Sequence, residues 1–237
     1  MPGLTYTTYK TALATLSVVP ETDANWLSIL PSAIDYAELR IYRDLDLLST
    51  VSTNTTYSTT TNASKVSLAA GTFVTLQNVN VITPAGTTNP DSGTRVPLLP
   101  VTKEYIQYAW PSSTNAAVPQ YFAMIDEKSF SLGPWPNAAY TLEIVGTVRP
   151  PSLSVSNPTT FISEYLPDML LMASMIFISG YQRNFGRQSD DPAMAQSYES
   201  QYTALLRGAT VEEYRRKFQA SGWTSISPSP VATPGRG

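Results

Sequence analysis

The sequence predicts an α+β protein: a helical bundle hub, an inserted antiparallel β sandwich or barrel, and an extended C-terminal tail. Three observations carry this. Helical periodicity runs before residue 50 and returns after residue 160. Between Ser49 and Val101 only Lys65, Asp91 and Arg95 are charged, and Ser, Thr and Asn fill 24 of 53 positions. After Trp223 prolines and glycines displace any helical period. The expected parts are therefore 1–48 and 152–222 for the two halves of the hub, 49–151 for the β module and 223–237 for the tail.

Tyr6 to Val18 has the pattern of a short helix, closed ahead of Pro20 because the residue before a proline avoids the α region. Glu21-Thr22-Asp23 opens a second segment. Pro31 fits the first turn of the main N-terminal helix, where its missing N–H costs nothing. Ile34, Ala37, Ile41, Leu45 and Leu48 form one apolar stripe, with Asp35, Glu38, Arg40, Arg43, Asp44 and Asp46 on the other sides. That charge set suits a solvated helix face. It also suits a subunit contact in which opposite signs pair between copies.

In the middle, Val51 to Thr61 is a Thr-rich strand or loop. Phe73 to Ile82 alternates, but its parity slips between Leu76 and Val79, which predicts a bulge. Thr83 to Gly93 is a loop, and Val101 to Trp110 a short helix bounded by prolines. Gln120–Asp126 and Ser129–Leu132 flank a hairpin tip at Glu127-Lys128, and Ala139–Arg149 is a further strand. Beyond Pro150-Pro151, Phe161 to Gln182 is a buried helix with Pro167 near its first turn. Its apolar run Met169–Ile178 would reach about 15 Å, half of a bilayer core, so it belongs in a core and not in a membrane. Asp190-Asp191-Pro192 is a helix start, Gly208 a helix end, and Thr210-Val211-Glu212-Glu213 a capping box opening a last basic helix.

The chemistry is limited by what is missing. The chain has no histidine and no cysteine, so the commonest general base and the thiolate and imidazole metal ligands are absent. No Gly-x-Ser-x-Gly elbow or phosphate-binding glycine loop occurs. No cofactor is expected. Asp126/Glu127 and Asp190/Asp191 are the paired carboxylates, and a hairpin tip and a helix cap account for them. Trp110, Trp135, Tyr121 and Tyr140 suit either a sugar-stacking platform or a core. Charged residues make up 14% of the chain, against about 25% in ordinary proteins. Eleven acids and eight bases up to Pro150 give the whole net charge of −3, which lacks the basic footprint of a nucleic-acid binder. The N-terminal residues lack the basic and apolar regions of a secretory signal.

Trp26-Leu27-x-x-Leu30-Pro31, followed by Ile34-x-Tyr36-Ala37-Glu38-x-Arg40-Ile41-x-Arg43-Asp44-Leu45-Asp46, resembles the N-terminal signature of tailed-bacteriophage head-to-tail adaptor proteins. So does Pro119–Arg149, with its extended pair, Pro-x-Pro turn and strand running into Pro150-Pro151-Ser152-Leu153. The Tyr165-Leu166-Pro167 helix, the Tyr198-x-x-x-Tyr202 helix and the short basic helix complete the pattern. The Thr-rich stretch from Val51 to Arg95 has no counterpart in it. The resemblance implies a structural virion protein of the neck, made in the host cytoplasm. It implies a ring of twelve copies below the portal protein, DNA passing through the lumen without sequence-specific binding, and a tail or nozzle protein docked beneath. On that view Arg40 and Arg43 would meet Asp190, Asp191 or Glu199 of a neighbouring copy. Arg215, Arg216, Lys217, Trp223, Ile226 and Val231 would dock on the portal. The rival classes are a β-rich decoration or glycan-binding adhesin built on the middle aromatics, and a carbohydrate-active enzyme built on a carboxylate pair.

Overall fold

The computed structural model describes residues 3–184 and 192–220. The chain divides into two compact units, Met1–Leu48 with Pro150–Gly237, and Ser49–Arg149. The fold is mixed α+β, with six α-helices and two four-stranded sheets among the described residues.

Helix α1 spans Tyr6–Leu16 and is capped by Thr5 in a reciprocal capping box with Thr8. Helix α2 spans Ala24–Asp44, and Asp23 caps it by accepting the Trp26 N–H at 2.8 Å. Pro31 therefore lies inside α2, not in its first turn as the sequence suggested. Its ring deprives the Leu27 carbonyl of a donor, but Leu27 is 40% exposed and water can serve. Trp26 and Leu30, both buried, anchor the turn before the proline.

The second unit follows. Strands β1 (Val51–Ser58), β2 (Lys65–Ser67), β3 (Thr75–Thr83), β4 (Thr94–Pro97) and β5 (Leu99–Pro100) precede helix α3 (Lys103–Ala109). Strands β6 (Tyr121–Asp126), β7 (Ser129–Gly133) and β8 (Thr141–Thr147) come after it. One sheet has the order β1-β8-β3-β4 and is antiparallel throughout. The other has the order β2-β7-β6-β5, with β5 parallel to β6. Both sheets are open, so the barrel alternative fails. They share one core, in which Val79, Val81, Leu142 and Ile144 of the first sheet join Val66, Phe122, Phe130 and Leu132 of the second. The parity slip in the sequence is a real register shift between Leu76 and Asn78.

The chain then returns to the first unit through helices α4 (Phe161–Tyr165), α5 (Pro167–Asn184) and α6 (Pro192–Ala220). The long helix expected from Phe161 is broken ahead of Pro167, which starts α5. Helix α6 runs straight through Gly208, contrary to the expected end there. Thr210 opens no capping box: its hydroxyl donates back to the Leu206 carbonyl at 2.7 Å. Glu213 is buried and accepts the Leu48 N–H at 3.1 Å. Tertiary contacts thus override one local stop signal and one local start signal. Tyr9, Leu13, Leu30, Ile34, Ile41, Leu170 and Tyr202 fill the core of this unit.

Candidate functional site

No helix among the described residues is long and apolar enough to cross a membrane. None of their carboxylates cluster in a way that could hold a metal ion.

Arg40 is the centre of the first charged cluster. From α2 its guanidinium donates to both carboxylate oxygens of Glu199 on α6, one of them at 2.9 Å. It lies 3.7 Å from Asp44 and 4.3 Å above the Tyr202 ring. The Tyr202 hydroxyl donates to Asp44 at 2.7 Å. Burial, reinforced by Asp44 as acceptor, pushes this phenol above its ordinary range. Arg40 and Glu199, which the sequence reading set on opposite sides of a contact between copies, are joined to each other within one chain, where a bidentate pair clamps α2 to α6. Arg43, three residues on, is exposed. Asp190 and Asp191 lie outside the described residues.

The C-terminal basic set divides in the same way. Arg216 stacks over the rings of Phe161 and Tyr165, at 4.9 and 5.1 Å, and pairs with Glu212 and Glu213 at 2.9 and 3.2 Å. Lys217 pairs with Asp46. Only Arg215 of the three projects outward. Arg216 and Lys217 hold the end of α6 to its own unit. Trp223, Ile226 and Val231 lie outside the described residues.

The sequence placed Glu38 among the solvated charges of α2, but it is 2% exposed. Its Oε1 accepts the Leu153 N–H at 3.2 Å and faces the Thr160 hydroxyl at 3.5 Å, while Oε2 has no partner. Burial raises this carboxyl above its usual range, and the Leu153 N–H opposes the shift. A signal was present. Ile34, Glu38, Ile41 and Leu45 are spaced four, three and four residues apart, which puts the acid on the buried stripe.

In the β unit Asp126 and Glu143 have structural duties, while Glu127 is exposed at the hairpin tip. Asp126 accepts the Ser129 hydroxyl and the Lys128 N–H, both at 2.8 Å. These bonds hold it below the usual carboxylate range, the wrong direction for a general acid. Glu143 accepts from Arg95 and from Asn80 across the first sheet. The aromatics pack on one another: Trp110 stacks on Tyr121 at 5.5 Å, and the Trp135 indole donates to the Trp110 carbonyl. Tyr140 is buried. Trp110, Tyr121 and Trp135 are half-buried and cluster with the exposed Tyr105 beside the core of this unit.

Intrachain ion pairs brace the helical unit, and in the β unit Asp91, Asp126 and Glu143 are engaged. The chain belongs to a family of bacteriophage adaptor proteins. The family model described as SU10 adaptor protein matches residues 4–228, which spans both units. A search of curated proteins finds no match. Such a protein has a structural, non-enzymatic role in the phage.

Proposed function

We propose that the protein is a head-to-tail adaptor that forms a ring below the portal, passes DNA through its lumen and receives tail components on its lower side. The observation that supports this is the family match from residue 4 to residue 228, which leaves neither unit unaccounted for. The charge distribution agrees. With a net charge of −3, the chain offers few phosphate contacts, and DNA moves freely past a wall that does not bind it. On this view α2 and α6 belong to the ring body and the C-terminal residues from Trp223 reach the portal. Contacts repeated around a closed ring multiply a small energy per interface.

The test is the mass of the purified protein alone and with portal. The expected result is a portal-bound ring of twelve copies, to which tail components attach only once the ring is in place. A chain that stays monomeric and ignores the portal would overturn the proposal.

A further inference from the structure

Helix α6 carries apolar side chains on two sides. Tyr202, Ala209 and Glu213 lie on its buried inner line. On the other side Val211, Tyr214 and Phe218 are spaced three and four residues apart, which makes one stripe on a helix. They are 50%, 61% and 55% exposed. Apolar side chains on both faces mark a helix that is buried on both sides.

The residues that follow α6 have the pattern of a cover for this stripe. The helix ends at Ala220. Ser221 then falls at the cap, Gly222 one place beyond it and Trp223 one further. Glycine in that place is the mark of a helix closed by a left-handed turn, and the closure brings the next residue against the third from the helix end. Here those two residues are Trp223 and Phe218. The next apolar residue is Ile226, which in an extended chain stands about 10 Å from Trp223. Val211 stands about 10.5 Å from Phe218 along the helix, so the two spacings match. No charged residue lies between Lys217 and Arg236, so this segment can lie on an apolar stripe without burying a charge.

We propose that in the free protein the chain folds back on the outer stripe of α6, with Trp223 on Phe218 and Ile226 on Val211. This deepens the portal reading above and rests on it for one step. The same two side chains cannot bind portal while they lie on α6, so the contact is an autoinhibitory latch that portal must displace.

The chain has no cysteine, so a disulfide reports the contact directly. Full-length Val211→Cys/Ile226→Cys and Glu212→Cys/Ile226→Cys proteins are oxidised at low concentration without portal. Position 212 is one residue along α6 and turned by about 100° from Val211. The first pair should close an intrachain disulfide about tenfold more readily than the second, which samples only the effective concentration of a tethered chain end. Equal yields would overturn the contact and leave the portal reading untouched. Disulfide-linked dimers in place of intrachain closure would assign the stripe to a second copy and also overturn it. The oxidised Val211→Cys/Ile226→Cys protein should then fail to join portal and should join it on reduction. Equal joining in both states would overturn the latch. Wild-type protein that ignores portal while the intrachain disulfide still forms would remove the portal reading, and the latch with it, but not the contact.

Discussion

Glu38 uses one carboxylate oxygen and leaves the other bare, deep in the helical unit. The bond from the Leu153 N–H fixes the chain to α2 where it returns to this unit, so Glu38 acts as a post. Its carboxyl is raised by burial, with the nearby Asp35 charge adding to the shift. A carboxyl whose value is higher folded than unfolded gives stability that is complete below the unfolded value, about 4.3, and lost as pH rises through the folded one. Glu38→Gln should therefore flatten the loss of stability above about pH 4 and still accept the Leu153 N–H. Glu38→Ala should cost about 1–3 kcal/mol at any pH, because that buried N–H loses its acceptor. Urea unfolding at pH 5 and pH 8 checks both. A Gln variant with the wild-type pH slope would show that the carboxyl does not titrate as argued.

At the scale of elements, two glycines make opposite predictions. Gly208 is helical with open space around it, so Gly208→Ala should stabilise the chain by about 0.5–1 kcal/mol through helix propensity. Gly146 is in the central strand β8, where a Cβ would come within 2.4 Å of the Thr75 carbonyl and 2.7 Å of the Phe73 ring. Gly146→Ala must move backbone and should cost about 1–3 kcal/mol. Thermal melts of the two variants should shift in opposite directions. Gly208 also shows where sequence stops being informative. Gly208 followed by Thr210-x-x-Glu213 looks like one helix ending and another beginning, and locally nothing contradicts it. The continuous helix depends on Glu213 meeting the Leu48 N–H, a partner 165 residues away. The strands β3, β6, β7 and β8 were legible because alternation and turn residues are local. The Arg40–Glu199 clamp was not, since pairing between distant helices leaves no trace in spacing. Glu38 was legible in principle, but its charge concealed its position on the buried stripe.

For the molecule as a whole, the β unit has the anatomy of an insertion. Strands β1 and β8 are partners, and the Val148 N–H donates to the Thr50 carbonyl at 2.8 Å, so the chain enters and leaves this unit side by side. The unit has a core of its own, from Val66 to Ile144, and the helical unit has another. Two cores and adjacent entry and exit points are what independent folding requires. Residues 49–149 produced alone should therefore unfold in one cooperative urea transition with native strand content by circular dichroism. The complementary chain, with a short Gly-Ser bridge from Leu48 to Pro150, should keep its helices, since Tyr9, Leu30, Ile41, Leu170 and Tyr202 all belong to its own core. That bridged chain also retains α2 and α6, the helices assigned above to the ring body, so it should still assemble on portal while losing whatever the β unit contributes to the tail side. A β unit that stays unfolded when isolated, or a bridged chain that melts without cooperativity, would show that each core depends on the other.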